Sequence, residues 1–382
     1  MKIVVAIDSF KACMTSLEAG NAVKAGIMRA SSKADVLVYP IADGGEGTVE
    51  ALTHALNGQI QSVLVTNPIG KRINANYGII NNGLTAVIEI SAAAGITLLS
   101  KTELNPYKTT TFGVGELIRE AIIRGCRNFI IGLGGSATND GGAGMLQALG
   151  FKLLDIKGND IPFGSEGLAS LHKIKTDFAL SELKNCKFRV ACDVTNPLCG
   201  EIGCSRVFAP QKGADETQIS KMDTWLFNFA KLTKKVCPNA NIDFEGAGAA
   251  GGLGFAFHAY TNAVLEPGIN IIIQETKLEE QIKNADFVIT GEGRLDSQTV
   301  MGKAPIGIAK IAKKYHKPVL ALSGSISNNA SICNENGIDA YFSILRNVST
   351  LNEAMNKENA LENLVCVSEQ AMRLILATKC SE

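Results

Sequence analysis

The sequence predicts an α/β protein made of two domains. At both ends of the chain, short apolar runs alternate with amphipathic segments, and this alternation is typical of parallel strands joined by helices. The length of 382 residues exceeds what one hydrophobic core usually supports. Between the two ends the alternation is lost. We therefore predict a discontinuous parallel-sheet domain, residues 1–66 and 286–382, with a second α/β domain, residues 67–285, inserted into it.

The N-terminal part predicts two strands and two helices. Residues 3–7 form a continuous apolar run, as in a strand covered on both faces. Thr15 and Glu18 have the spacing of a capping box, which predicts that a helix begins there. Residues 36–41 predict the second strand, and the loop ADGGEG then leads into a helix near Thr48.

The same alternation returns at the C-terminus. Residues 287–289 predict a strand that ends in the loop TGEGRLDS, and a helix follows over residues 306–311. Residues 318–322 predict another strand, which ends in the loop SGSIS. We expect a last strand over residues 341–345 and a closing helix over residues 364–375.

The central part begins with short strands and turns. A helix follows Thr109 to Thr111, and its predicted buried face consists of Val114, Leu117, Ile118, Ala121 and Ile122. The predicted strand 129–133 opens into the glycine-rich segment GGSATNDGGAG, and the predicted strand 188–192 ends at Asp193.

Composition excludes several classes of protein. The chain is 46% hydrophobic, so it is not disordered, and its 37 basic and 37 acidic residues lack the excess of positive charge typical of nucleic-acid binders. No apolar run approaches the roughly 18 residues that span a bilayer. The ten cysteines form no C-x-x-C pair, which favours reduced thiols over zinc ligands. We therefore expect a cytoplasmic protein, a monomer or a homodimer, without nucleic-acid or membrane partners.

One pattern recurs along the chain: an apolar strand ends in a loop that combines glycine with a carboxylate. The carboxylates in these loops are Asp8, Asp43 with Glu46, Asp140, Asp193, and Glu292 with Asp296. Ligands of open parallel sheets bind where such loops converge, and carboxylates among backbone amides suit Mg²⁺ together with phosphate. A tight turn with a helix cap explains any single loop, but five of them favour a phosphoryl-transfer site.

Basic residues lie beside the same loops. Lys11 follows the first strand, Arg294 lies within GEGRLDS, and Lys212 and Lys303 lie near other glycines. An anionic substrate or an ATP phosphate requires such groups. A solvated surface lysine is the ordinary alternative, and it fits Lys11 and Arg294 less well because both lie at strand ends beside carboxylates.

The common nucleotide and nucleophile motifs are absent. There is no P-loop and no protein-kinase HRD or DFG sequence, and the GxGxxG at Gly246, Gly248 and Gly251 lacks a convincing preceding strand. The four histidines form no triad or metal pair, which favours a carboxylate as the general base.

Several long segments resemble the type-1 glycerate kinase family. They are AIDSFK, PIADGGEGT, IGLGGSATNDGGAGMLQALG, ACDVTNPLCG, FAPQKGA, GAGAAGGLG, VITGEGRLDSQT and GKAPIGIAKIAKKYHKPV. The resemblance covers essentially the whole chain. One departure follows DSFK, where the family usually has small residues and this chain has Cys13 and Met14.

The resemblance implies ATP- and Mg²⁺-dependent transfer of the γ-phosphoryl group to a hydroxyl of D-glycerate, generally giving 2-phosphoglycerate. It also implies that the discontinuous domain is Rossmann-like (flavodoxin-like) and that the site lies in a cleft between the two domains. Which hydroxyl is phosphorylated is left open by the sequence, since a shift of about 1 Å can change the attacking oxygen.

Our hypothesis for the chemistry assigns roles to four residues. Lys11 and Arg294 bind the glycerate carboxylate or the transferring phosphoryl group. Asp193 or Asp296 accepts the proton of the attacking hydroxyl.

A further set of residues is expected to bind the cofactors. Asp8 with Asp43 organises Mg²⁺. ATP phosphates lie on the backbone amides and supporting side chains of Gly134, Gly135, Ser136, Thr138 and Asn139.

Two other functions remain possible from the sequence. One is an NAD-dependent oxidoreductase acting on a hydroxy acid, which depends on the GxGxxG at Gly246 to Gly251. The other is a non-catalytic carboxylate-binding protein, which leaves the strand-end carboxylates without a use.

Overall fold

A computed structural model describes residues 1–42, 44–297, 299–301 and 303–379. The strands, numbered along the chain, are β1 (Lys2–Ile7), β2 (Asp35–Val38), β3 (Gln59–Thr66), β4 (Arg72–Ile80), β5 (Thr85–Glu89), β6 (Asn128–Gly132), β7 (Lys152–Leu154), β8 (Lys173–Lys175), β9 (Lys187–Ala191), β10 (Val264–Glu266), β11 (Phe287–Leu295), β12 (Val319–Ile326) and β13 (Ala340–Ser343). The helices are α1 (Ser16–Ala30), α2 (Thr48–Ala55), α3 (Ser91–Ala94), α4 (Phe112–Ile123), α5 (Ala143–Ala148), α6 (Ser165–Leu168), α7 (Cys204–Phe208), α8 (Glu216–Val236), α9 (Ala249–Thr261), α10 (Gly268–Glu275), α11 (Leu278–Lys283), α12 (Ala304–Lys314), α13 (Ile332–Glu335), α14 (Leu351–Ala354) and α15 (Lys357–Lys379).

The chain divides into two compact units. The first consists of residues 1–43 and 269–382, and the second of residues 44–268. These bounds differ from the crossings at residues 66 and 285 that the sequence suggested. The first difference arises because α2 packs on β3, β4 and β5 of the second unit.

The first unit contains a five-stranded parallel sheet in the order β13-β12-β11-β1-β2. Numbered within this sheet alone, the strands run 2-1-3-4-5, which is the flavodoxin-like order. Ile3, Val5 and Ile7 of β1 belong to a core shared with α1 and α15. Val4 and Ala6 point to the opposite face and are buried as well. The predicted class, a parallel sheet covered on both faces, is confirmed.

The second unit contains a mixed six-stranded sheet in the order β10-β9-β6-β5-β4-β3. Strands β3, β4 and β5 are antiparallel neighbours, whereas β5, β6, β9 and β10 pair in parallel. The carboxyl ends of these four parallel strands therefore lie at one edge of the sheet. Strands β7 and β8 form a separate antiparallel pair.

Two local predictions are confirmed in detail. The Thr15 hydroxyl accepts from the Glu18 amide while the Glu18 side chain accepts from the Thr15 amide, which is the capping box at the start of α1. The predicted apolar face of α4 is fully or almost fully buried at Val114, Leu117, Ile118, Ala121 and Ile122.

Three strands have bounds that the sequence did not predict. Strand β11 extends to Leu295 and β12 to Ile326, beyond the predicted loops, because their parallel pairing continues through polar residues, with Glu292 opposite Ser323 and Arg294 opposite Ser325. Strand β2 ends at Val38 rather than at residue 41, since Pro40 has no amide hydrogen to continue the ladder.

None of the helices in the described part of the chain combines the length and the apolar character that a bilayer crossing requires.

The packing of α1 against α15 depends on Gly26. A Cβ atom at this position would collide with Ser368 Oγ and with the carbonyl oxygen of Val365. We expect Gly26→Ala to lower the free energy of unfolding by about 1–3 kcal/mol, because overpacking outweighs the higher helix propensity of alanine. Urea denaturation followed by circular dichroism measures this change. Lys24→Ala, at an exposed position of the same helix, is the control and should change stability by less than about 0.5 kcal/mol. A Gly26→Ala protein as stable as the wild type would contradict the close approach.

Candidate active site

The first unit has a topological switch point between β1 and β11. Strand β1 pairs with β2 on one side and with β11 on the other, and ligands of such sheets bind at the carboxyl ends of the two strands where the order reverses. Ile7, the last residue of β1, lies opposite Gly291. Asp8 and Glu292, the next residue on each strand, therefore follow side by side, and the Asp8 amide donates to the Gly291 carbonyl at 2.8 Å.

A cavity of about 510 Å³ opens at this point, and we call it the switch-point cavity. Its charged lining consists of Asp8, Lys11, Glu292, Arg294, Asp296 and Lys303. Its apolar lining consists of Phe10, Ile344, Leu345, Leu351, Ala354 and Met355. Four of the residues predicted to form the site, Asp8, Lys11, Arg294 and Asp296, are thus brought together by the fold.

A tight turn presents Lys11 to the switch-point cavity. The Phe10 amide donates to the Met14 carbonyl at 3.0 Å, and the Met14 amide donates back to Phe10 at 3.0 Å. Ala12 within the turn has a φ of 60°, which is uncommon for a residue with a side chain. Cys13, part of the departure from the family sequence, lines the same cavity.

Basic and acidic side chains of the cavity pair with each other. Arg294 Nε lies 3.4 Å from Asp296 Oδ2, and the Arg294 side chain is 67% exposed. Lys303 Nζ lies 3.7 Å from Glu292 Oε2, and Glu292 also accepts from Thr299 Oγ1 at 2.7 Å. Ion pairs made by an exposed side chain such as Arg294 contribute little to stability, so an incoming anion can compete for this arginine.

The carboxylates of the cavity are suitable ligands for a hard cation. No group of three or more His, Cys, Asp or Glu side chains in the described ranges is arranged to hold a metal by itself. Mg²⁺ commonly takes only one or two protein carboxylates and completes its shell with phosphate oxygens and water. Asp8, Glu292 and Asp296 offer such carboxylates, whereas Asp43, the other predicted ligand, lies outside the described residues.

The second unit holds the glycine loop, residues 134–142, which follows β6. Three hydrogen bonds fix its first half: the Ile96 amide donates to Gly135 O at 2.8 Å, the Ala137 amide to Ala94 O at 2.8 Å, and Thr109 Oγ1 to Ala137 O at 2.9 Å. The conformation of the loop is therefore set by its surroundings.

The second half of the glycine loop is built on Asp140. Its buried carboxylate accepts from the amide and hydroxyl of Thr111 and from the amides of Gly142 and Gly144, at 2.9–3.2 Å. Burial raises the pKa of Asp140. For this half of the loop, the ordinary interpretation, a turn with a helix cap at α5, accounts for the carboxylate.

Thr138 and Asn139 lie beneath the surface of the loop. Both are fully buried, and Asn139 Nδ2 donates to Ser205 Oγ at 2.8 Å. Their role as supporting donors to phosphate stays a prediction. Both residues are buried beneath the loop rather than exposed on it.

Lys212 is also buried here, with 1% of its surface exposed. It donates to Ser136 Oγ at 2.8 Å and to Thr138 O at 2.7 Å. Burial lowers the pKa of Lys212 to about 8. The sequence had singled out Lys212 as basic and close to glycines, but it could not predict the burial.

Glu89 at the end of β5 is a residue that the sequence analysis missed. Its carboxylate accepts from the Val49 amide at 2.8 Å and lies 3.5 Å from Ser91 Oγ. Burial raises its pKa, while hydrogen bonds from the amides of Val49 and Gly47 act in the opposite direction. The segment TAVIEIS contains the pattern that marks the other candidate residues, an apolar strand that ends in a carboxylate, so Glu89 could have been found in the same way.

The two candidate general bases lie in different units. Asp296 lines the switch-point cavity of the first unit. Asp193 follows β9 in the second unit, where it is exposed and accepts from the Gly268 amide at 3.1 Å.

The GxGxxG glycines pack against protein rather than leaving room for a dinucleotide. A Cβ at Gly251 would collide with Thr138 O, and one at Gly248 would collide with Pro197 O. A Cβ at Gly246 would approach Cys192 Sγ to 2.8 Å. The structural basis for the oxidoreductase alternative is therefore absent at this motif.

Comparison with known proteins identifies the family of the chain. The model of the glycerate kinase family matches residues 3–376, almost the whole chain. The chain belongs to the glycerate kinase family. The resemblance inferred from the sequence motifs is thus confirmed, and the chain is a phosphotransferase rather than a non-catalytic binding protein.

Relatives and a solved structure match over nearly their full length. The glycerate 2-kinase of Escherichia coli K12 is 47% identical over 99% of this chain and 98% of its own. The glycerate kinase of Bacillus subtilis 168 is 47% identical over 95% of this chain and 94% of its own. A crystal structure from Salmonella typhimurium LT2, assigned as a glycerate kinase 2, superposes with a TM-score of 0.90 at 45% identity and covers 99% of both chains.

The glycine loop should lose stability when Asp140 is changed. In Asp140→Asn, an amide NH₂ replaces one of two oxygens that accept from backbone amides, so at least one buried donor loses its partner. We expect the free energy of unfolding to fall by about 1–3 kcal/mol, measured by urea denaturation. Asp177→Asn, at an exposed position of the same unit, is the control. Equal stability of the two variants would show that Asp140 does not hold the loop.

Proposed function

We propose that this enzyme transfers the γ-phosphoryl group of ATP, with Mg²⁺, to the 2-hydroxyl of D-glycerate, releasing 2-phosphoglycerate and ADP. The observation that carries the proposal is the switch-point cavity, where Lys11 and Arg294 face Asp8, Glu292 and Asp296 in a member of the glycerate kinase family. The name of the Escherichia coli relative, a glycerate 2-kinase, supports the 2-hydroxyl as the acceptor.

The switch-point cavity is of a size that suits the nucleotide. Pockets for drug-sized ligands measure roughly 300–1,000 Å³, and a three-carbon acid would fill only a small part of this one, whose volume is about 510 Å³. The apolar lining at Ile344, Leu351 and Met355 suits a purine ring, whereas glycerate has no apolar surface to bury against it. Of the two roles considered for Lys11 and Arg294, these features favour contact with the transferring phosphoryl group.

The charged side of the cavity supplies what phosphoryl transfer requires. The reaction depends on positioning and on stabilisation of negative charge that spreads over the phosphoryl oxygens. Lys11 and Arg294 provide positive charge there, and Arg294 can bind two oxygens with its planar guanidinium. Mg²⁺, when bound, neutralises further charge on the phosphates, and we propose Asp8 with Asp43 as its protein ligands, with Glu292 nearby.

The attacking hydroxyl must give up its proton to a carboxylate. Asp296 has the stronger structural support of the two candidates, because it lies in the cavity that holds Arg294 and because this arginine, 3.4 Å away, keeps the carboxylate oriented. Asp193 is the alternative. Its carboxylate is oriented by the Gly268 amide at the carboxyl edge of the second sheet.

Phosphorus NMR of the product tests turnover and regiochemistry together. With ATP, Mg²⁺ and D-glycerate we expect a new ³¹P doublet, since the phosphate of 2-phosphoglycerate is attached to a carbon with one hydrogen. Phosphorylation of the 3-hydroxyl would instead give a triplet from a CH₂ group and would overturn the assignment of the product. A reaction without Mg²⁺ and one with L-glycerate are the controls. If no phosphorylated acid forms, the proposed function itself is wrong.

Two matched substitutions identify the general base. We expect Asp296→Asn to lower kcat by about 10²–10⁴-fold, the usual contribution of general-base catalysis, while Asp193→Asn remains within about tenfold of the wild type. Steady-state kinetics with a coupled ADP assay measures both, and Asp177→Asn is the surface control. A large loss of kcat in Asp193→Asn but not in Asp296→Asn would assign the general base to Asp193. Near wild-type kcat in both variants would remove both carboxylates from proton transfer.

A further inference from the structure

Lys212 is a buried cation whose two hydrogen-bond acceptors are neutral. They are the Ser136 hydroxyl and the Thr138 carbonyl. An ammonium taken out of water without a carboxylate on it is unfavourable, and natural structures usually pair such a charge. Asp140 favours the charged form of Lys212 through space, but the oxygens of Asp140 are already engaged by Thr111, Gly142 and Gly144. A partly uncompensated positive charge therefore lies beneath the glycine loop.

The hydrogen bond from Lys212 fixes the polarity of the Ser136 hydroxyl. Because Ser136 Oγ accepts from the ammonium, its own proton is left for a different acceptor. Within the described ranges no protein atom accepts that proton. Ser136 is 9% exposed, at the point where the loop reaches the surface. The hydroxyl is thus prepared to donate outwards.

Three backbone amides of the same loop have unused hydrogens. The carbonyl of Gly135 and both backbone groups of Ala137 are engaged in hydrogen bonds, but the amides of Gly134, Gly135 and Ser136 find no acceptor in the part of the chain that the structure describes. Gly134 is half-buried and Gly135 is exposed, so a ligand can reach them. Successive unused amides are a common arrangement for binding an anion.

We propose that Gly134, Gly135 and Ser136, with Lys212 buried beneath them, form a preorganised site for one anionic oxygen group, in which the Ser136 hydroxyl donates to the ligand. This inference rests on the proposed function for its two ligands, since both substrates of a glycerate kinase offer such oxygens: the carboxylate of glycerate and the phosphates of ATP. Lys212 acts as a positioning residue, because it touches the loop and not the ligand. Donors fixed before the ligand arrives need no reorganisation when it binds.

Separate titrations of the two ligands test the site and identify its occupant. Isothermal titration calorimetry is performed with D-glycerate in one arm and with a non-hydrolysable ATP analogue plus Mg²⁺ in the other. We expect Ser136→Ala to raise the Kd about tenfold for one ligand, the loss expected for a hydrogen bond to a charged group, and to leave the other within about twofold. Ser220→Ala, at an exposed position of α8, is the control.

The ligand whose Kd rises in Ser136→Ala identifies the chemical group that the site binds. Weaker binding of glycerate alone assigns a carboxylate site, and weaker binding of the analogue alone assigns a phosphate site. Unchanged Kd values in both arms would overturn the proposal even if the enzyme makes 2-phosphoglycerate normally. Conversely, a protein that shows the Ser136→Ala effect but forms no phosphoglycerate would keep the anion site and reject the proposed function.

The pH dependence of anion binding tests the role of Lys212, because a lysine that only supported the fold of the loop would not make the affinity depend on its charge. In the wild type, affinity for the anion should fall as the pH rises above about 8, where Lys212 loses its charge. Of the titratable groups that act on Lys212, the Cys204 thiol does not produce this change, because burial raises its pKa to about 12. Burial also raises the pKa of the Asp140 carboxyl, and the comparison with Lys212→Met, which keeps Asp140, separates the two groups. Lys212→Met should bind more weakly and lack this pH dependence, while Lys221→Met, at an exposed position, should retain it. If Lys212→Met does not fold, the anion site is still tested by the Kd values of Ser136→Ala and by the pH dependence of the wild-type Kd. A wild-type Kd that does not change between pH 7 and about 9 would remove Lys212 from the site.

Discussion

The pairing of β1 with β11 is the interaction on which the first unit depends. It joins residues from opposite ends of the chain, with Ile3 opposite Phe287 and Ile7 opposite Gly291. At its start, the Lys2 amide donates to Asp286 and the Asp286 amide donates back to Lys2. At its end it sets Asp8 beside Glu292 and so creates the switch-point cavity. Without this pairing neither segment has a complete sheet, and the charged residues of the cavity are not brought together.

Features encoded within a few residues could be predicted from the sequence. The capping box of α1 and the buried face of α4 depend on local spacing, and both are found as expected. It could also be predicted that Asp8, Lys11, Arg294 and Asp296 lie close together, because parallel strands place their carboxyl ends at one edge of the sheet.

Features that depend on distant partners could not be predicted. The polar end of β11 is a strand only because β12 continues beside it. The loop at Gly44 looked like part of the first sheet, yet it packs on the second, where a Cβ at Gly132 would collide with Gly44 O. Lys212 looks like a surface lysine in PQKG, and only the loop from Ser136 to Thr138 folded over it makes it a buried charge. Many glycines near the sites therefore allow close contact between protein segments rather than contact with a ligand.

The discontinuous first unit has a consequence for the order in which the protein is made. During translation β1 emerges from the ribosome well before β11, and it has only β2 as a neighbouring strand until residues 44–268 have been synthesised and β11 follows. The second unit is continuous in sequence and can fold during that interval, since domains generally fold as units from the N-terminus. Until then the apolar run of β1 has an unpaired edge, which is the kind of segment that aggregates most readily during folding. The segment synthesised after residues 44–268 therefore completes the unit that β1 began.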